Sequence, residues 1–135
     1  MASVFTKIIN GEIPSHKIAE TDDFFAFLDI SPLALGHTLV IPKKEVDYIL
    51  NLEDELYSHL WAFAKTIAIA LEKSVDCKRI GIAVIGLEVA HTHIHLIPIN
   101  KVDDINFSRP KMKLSDEQYA LIAKDIRNNL AFPFN

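Results

Sequence analysis

The chain has 135 residues, half of them hydrophobic, with one cysteine and a formal net charge of -4. That length suits one domain over residues 1–135 with a buried core, and the mixture of apolar and charged residues excludes a disordered segment. The negative balance, with no block of Lys and Arg, excludes a nucleic-acid polymer as the main partner, and no run reaches the roughly 20 apolar residues of a membrane span.

The N-terminal Met1-Ala2-Ser3-Val4-Phe5-Thr6-Lys7 lacks the apolar run and cleavage site of a secretory signal. Cys77 has no second cysteine to pair with, which fits a reducing compartment, and the expected location is cytoplasmic. Phe5 to Asn10 can form one short helical stretch, ended by Asn10-Gly11 and Pro14. Lys17 to Glu20 and Phe24 to Leu28 are β-prone runs separated by Thr21-Asp22-Asp23, the pattern of a hairpin. Asp29-Ile30-Ser31-Pro32 opens a loop to Gly36, and His37 to Ile41 gives a third strand stopped by Pro42.

Leu52-Glu53-Asp54-Glu55 puts acidic residues at the start of a long helix whose apolar stripe is Leu56, Leu60, Phe63, Ile67 and Leu71. Arg79 to Ile85 and His93 to Ile99 are two more strands, joined by Gly86-Leu87-Glu88-Val89-Ala90, with Pro98 marking a strand end or sheet edge. Ser115-Asp116-Glu117-Gln118 has the form of a capped helix start, and Leu121, Ile122, Ile126 and Leu130 supply the apolar face of a last helix. The pattern predicts an α+β fold with a mostly antiparallel five-stranded sheet, a long helix across it and a C-terminal helix.

The chemistry concentrates in His91-Thr92-His93-Ile94-His95. Along a strand, alternate side chains share a face, so the three imidazoles line one surface while Thr92, Ile94 and Leu96 line the other. Burial of the apolar face fixes that register. A purely structural role would require polar partners for each of three buried imidazoles. Histidines two apart on a strand are also workable zinc ligands, and His37 or Glu88 can be brought near by folding; spacing alone does not separate a metal site from a nucleophile.

His91-Thr92-His93-Ile94-His95-Leu96 resembles the motif of the histidine triad, or HIT, family of nucleotide hydrolases and transferases, with Thr92 a mild departure at a usually apolar spacer. The segments from Val4 to Ser15, Phe27 to Pro32 and Gly36 to Lys43 are also similar to family motifs, in family order. The resemblance implies the HIT-like fold, a homodimer, a purine nucleotide or dinucleotide substrate and no cofactor. It further implies that His93 attacks the α-phosphorus to form a nucleotidyl-histidine that water hydrolyses. An imidazole, with an unperturbed pKa of about 6.5, is a competent nucleophile once a partner fixes its tautomer.

By the same resemblance His95 lies against the phosphate, and His91 and His37 set orientation and protonation. Asp29 accepts from the ribose hydroxyls, although an Asp before Ser31-Pro32 is also a turn former. Phe5, Ile8, Phe27, Ile30 and Leu39 match the apolar walls of the nucleoside pocket, and Gly86 and Glu88 belong to the segment flanking the phosphate. Glu88 stands where the family has a hydroxyl residue, and a carboxylate there repels a phosphate unless it turns away or is protonated. The preceding strand also lacks the family's phosphate-side asparagine, so the alternatives to a hydrolase are a nucleotide-binding module with little turnover and, behind it, a metal-binding protein using the triad. Many members carry a zinc site; Ser3, Thr6 and Glu45 occupy three of its four ligand positions and leave only His91, so no bound metal is expected.

Overall fold

The computed structural model describes residues 2–131; Met1 and residues 132–135, the ends of the expected domain, lie outside the described residues. In chain order the elements are α1 (Val4–Ile9), β1 (Lys17–Glu20), β2 (Phe24–Leu28), β3 (Thr38–Pro42), α2 (Asp54–Ser74), β4 (Arg79–Ala83), β5 (Ile94–Ile99) and α3 (Asp116–Asn128). The strands form one open sheet in the order β1-β2-β3-β5-β4, with every neighbouring pair antiparallel. No described helix is long and apolar enough to cross a membrane.

All five residues of β2 and of β3 are buried, so these strands read as continuous apolar runs. Such runs arise where both faces of a sheet are covered. Phe24, Ala26, Leu28 and Val40 pack on the helical side with Ile94, Leu96 and the α2 residues Leu60, Phe63, Ile67 and Leu71. On the opposite face Phe25, Phe27, Leu39 and Ile41 form a smaller cluster with Phe5 of α1, against which Ile8, Ile9 and Val89 pack. Full burial of each such side chain contributes about 1.5–3 kcal/mol, far more than helix propensity supplies, so packing on the sheet is what makes α2 stable.

Ser115 caps α3 reciprocally with Gln118. The buried stripe of α3 is Tyr119, Ile122, Ala123 and Ile126, whereas Leu121 faces solvent at 57% exposure. The expected apolar face is thus rotated: Leu121 lies about 100° round the helix from Ile122, outside the i, i+3, i+4, i+7 stripe. Leu130 falls just beyond the helix and still packs against the core.

Two strand expectations are also corrected. The run from Arg79 pairs only as far as Ala83, and the second strand begins at Ile94, so His91 and His93 precede it. The pairing of β3 with β5 ends at Val40 with Ile94; before it, the Thr92 N–H and hydroxyl each donate to the Val46 carbonyl at 2.7 Å. β5 is an inner strand despite Pro98, because β3 pairs with it no further than Leu96 and Pro98 meets only β4. The missing N–H therefore falls where one side of the strand has run out of partner.

Gly36 turns the chain from the Asp29 loop into β3 at φ +90°, and a Cβ there would meet Leu71 Cδ1 at 2.8 Å and Val75 Cγ2 at 3.1 Å. Both the positive φ and the close approach to α2 require glycine. Replacing Gly36 by Ala is expected to cost about 2 kcal/mol or more from backbone strain and overpacking. Urea unfolding would show it as a lower midpoint at unchanged slope.

Candidate functional site

The face of the sheet opposite α2 carries a pocket of about 440 Å³. Phe5, Ile8, Phe27 and Leu39 line its apolar wall, and His37, His93 and His95 line the far side with Asp29. Ile30, 77% exposed, sits at the rim, and Gly86 and Glu88 line the mouth on the irregular segment after β4. Gly86 makes that turn at φ +75°. His91 does not line the pocket: it is wholly buried behind His93.

The hydrogen bonds determine which ring nitrogen carries each proton. His91 Nε2 lies 2.8 Å from the Pro42 carbonyl, which can only accept, so Nε2 bears the hydrogen. Its Nδ1 then accepts from the Ser3 hydroxyl at 2.7 Å. The His91 carbonyl in turn accepts from His93 Nδ1–H at 2.7 Å. That leaves His93 Nε2 with a lone pair and no protein hydrogen bond among the described residues.

A second chain runs through the other two rings. The Leu33 N–H donates to His37 Nδ1 at 3.0 Å, so the His37 proton is on Nε2. Nε2–H donates to His95 Nδ1 at 3.0 Å, which puts the His95 proton on Nε2, the nitrogen left for a ligand. These assignments require neutral rings. Burial, with the Lys111 charge, pulls His37 down to about 4. Burial, with the neighbouring His37 and His93, likewise pulls His95 down to about 4. Burial also lowers His91, against the opposing pull of the Pro42 carbonyl and Glu45.

Asp29 serves the turn and the site together. One carboxylate oxygen accepts from the Ser31 N–H at 2.8 Å, and the other lies 3.5 Å from His37 Nε2. Its own carbonyl accepts from the Tyr119 hydroxyl at 3.0 Å, and Tyr119 stacks on His16 at 4.5 Å, so α3 braces the loop. Asp29, His37 and His95 are the one set of potential metal donors drawn together among the described residues. His37 Nε2 and His95 Nδ1 already share a proton, which a metal ion would have to displace.

Ser3, Thr6, Glu45 and His91 also converge, as their positions in the sequence motif imply. The Ser3 N–H and the Thr6 hydroxyl donate to Glu45 Oε1 at 2.6 and 2.7 Å. This set does not fit zinc: two of the four are neutral hydroxyls, and His91 Nδ1 is occupied by Ser3.

Two pocket residues, Phe107 and Lys111, lie outside every segment that the sequence motifs marked. Phe107 lies edge-on to His95 at 4.8 Å and to His37 at 6.3 Å, and Lys111 lines the pocket while donating to the Phe107 and Arg109 carbonyls. The Met112 N–H donates to the Pro32 carbonyl, tying this segment to the Asp29 loop. The one signal was an isolated aromatic in an otherwise polar stretch after the last strand.

The HIT domain profile matches residues 10–102, which ends before Phe107 and Lys111. A HIT-like protein of Borreliella burgdorferi is 39% identical over 94% of this chain and 97% of its own. The adenosine 5'-monophosphoramidase of Schizosaccharomyces pombe is 30% identical over 96% of this chain and 99% of its own. Among solved structures, the Bartonella henselae HIT-like protein superposes with a TM-score of 0.81 at 33% identity, covering 95% of this chain and 96% of its own. A zinc-bound histidine triad protein from Mycobacterium smegmatis superposes with a TM-score of 0.82 at 28% identity, covering 97% of this chain and 94% of its own. With its family motifs in order, its sheet in the family arrangement and its three triad histidines in place, the chain belongs to the histidine triad family.

Proposed function

We propose that this chain is a nucleotide hydrolase of the nucleoside phosphoramidase type, in which His93 Nε2 attacks the α-phosphorus of a purine nucleotide. The observation that carries the reading is the 2.7 Å bond from His93 Nδ1–H to the His91 carbonyl, which leaves the Nε2 lone pair facing the pocket. Attack forms the P–N bond to His93 and breaks the bond to the leaving group, which departs with the bonding pair and takes a proton from solvent water. Water then attacks the same phosphorus and gives up a proton to solvent, while the P–N bond breaks with its pair returning to Nε2, releasing the nucleoside monophosphate and restoring the neutral imidazole. His95 Nε2–H donates to the phosphoryl oxygens as charge builds on them, its direction held by His37.

Asp29 takes the ribose hydroxyls, and the base lies between Phe5, Ile8, Phe27 and Leu39, with Ile30 at the rim. The S. pombe relative's name, adenosine 5'-monophosphoramidase, supports an adenosine phosphoramidate substrate. Glu88, on the pocket mouth, adds a charge argument: a carboxylate disfavours a polyphosphate leaving group and suits an amine.

The functional unit is a cytoplasmic homodimer in this reading. β4 is an open sheet edge, and beside it Ile82 and Ile69 are 50% and 44% exposed. The adjacent Trp61 indole N–H is buried without a hydrogen-bond partner among the described residues. An apolar edge of this kind is stabilised by a second copy.

Hydrolysis of a fluorogenic adenosine phosphoramidate tests the chemistry. His93→Ala is expected to lose at least about 10³-fold in kcat while retaining nucleotide affinity. Wild-type protein that binds nucleotide and turns over neither this substrate nor a dinucleoside polyphosphate would instead be a binding module. Glu88→Ser is expected to raise kcat/KM for a dinucleoside polyphosphate by about fivefold relative to the phosphoramidate.

The depressed pKa values of His37 and His95 set a pH dependence. The unfolded chain binds more protons than the folded one between about 6.5 and about 4, so their contribution is complete above about 6.5. Stability falls as pH drops through that window. Urea midpoints measured across it should show a shallower fall in His37→Gln. Sedimentation equilibrium should give a dimer for wild type and a monomer for Ile82→Glu.

A further inference from the structure

We propose that Glu45, Ser3 and Thr6 form a hydrogen-bonded clasp that holds helix α1 onto the His91 segment, and that this clasp sets the nucleoside wall and the seat of His93. The inference rests on the pocket being the nucleotide site, and it assigns positioning roles to three residues outside the triad.

Three stretches of chain far apart in sequence meet at this junction. The Ser3 N–H and Thr6 hydroxyl of the first helical turn donate to one oxygen of Glu45 at 2.6 and 2.7 Å. Such short bonds to a carboxylate are roughly twice as strong as neutral ones, and they hold the Glu45 carboxyl down at about 2. From the same turn the Ser3 hydroxyl donates to His91 Nδ1 at 2.7 Å while accepting from the Thr6 N–H at 3.0 Å. Just before Glu45, the Pro42 carbonyl accepts from His91 Nε2–H, and just after it the Val46 carbonyl accepts from the Thr92 N–H.

Both ends of the clasp act on the site. His91 is gripped at both ring nitrogens, and its carbonyl is the acceptor that fixes the His93 tautomer. On the other side, α1 carries Phe5, whose ring meets His93 edge-on at 5.0 Å, His91 at 5.8 Å and Phe27 at 5.5 Å. A six-residue helix is too short to hold itself, so its placement depends on such anchors. Glu45 is solvent-exposed and outside both core clusters, so its removal should act on α1 and leave the core intact.

The test compares wild type, Glu45→Ala, Glu45→Gln and Ser3→Ala by amide hydrogen exchange, adenosine monophosphate affinity, and kcat and KM on the phosphoramidate. In Glu45→Ala the Lys7 and Asn10 amides of α1 should exchange at least about tenfold faster, with sheet and α3 amides unchanged. Nucleotide affinity should fall about tenfold and KM rise with it. Glu45→Gln keeps the accepting oxygen and should recover most of both. Ser3→Ala, which frees His91 Nδ1, should lower kcat by about tenfold.

Wild-type exchange in α1 of Glu45→Ala would overturn the clasp, and faster exchange with unchanged nucleotide affinity would overturn its setting of the nucleoside wall. Wild-type protein that binds no nucleotide would defeat the functional reading instead, and the exchange comparison would still decide whether Glu45 holds α1.

Discussion

The hydrogen bond from His93 Nδ1–H to the carbonyl two residues before it is the constraint on which the site depends. An imidazole free to rotate or change tautomer would present its lone pair in the pocket only part of the time. Here the acceptor is backbone, which cannot reverse its role, and that backbone belongs to a residue gripped at both ring nitrogens. A parallel restraint operates on His95, where the Leu33 amide fixes His37 and His37 fixes His95. One chain leaves a lone pair on His93 and the other leaves a donor on His95, on rings whose centroids lie 5.0 Å apart.

Burial makes those assignments hold. The desolvation that lowers His37, His91 and His95 keeps the rings neutral, and a neutral ring has one donor and one acceptor, so each partner forces the next. Protonating His37 would turn its Nδ1 into a donor facing the Leu33 N–H, breaking the chain at its first link. The same low-dielectric surroundings would leave each ring costly if unpaired, which is why all four histidines of the site have partners.

The sheet supplies the rigid floor. Because β2 and β3 are covered on both faces, their backbone positions are fixed by two clusters at once. The helical side anchors Ile94 and Leu96, which holds His95 toward the pocket by alternation. The pocket side needs α1 to close it, and α1 reaches the sheet through Phe5 and the Glu45 junction. The last described loop completes the wall, with Phe107 laid against His95 and Lys111 at the margin.

The sequence by itself determined the order of the elements and most of the composition of the site. Periodic apolar residues marked α2, the capping residues marked α3, and alternation about Ile94 and Leu96 put His95 on the face opposite the core, because these patterns are set by neighbours a few residues away. The motif segments also named Asp29, His37, Glu88 and the pocket walls that the fold brings together. Tertiary structure alone decided that His91 and His93 precede β5, that His91 lies behind the pocket, and that the α3 stripe runs through Tyr119 and Ala123 while Leu121 faces solvent. It alone decided the protons, because the tautomers are imposed by contacts such as Ser3 with His91 and His37 with His95, 88 and 58 residues apart. Local patterning carries no information about which distant donor or acceptor a ring nitrogen will meet.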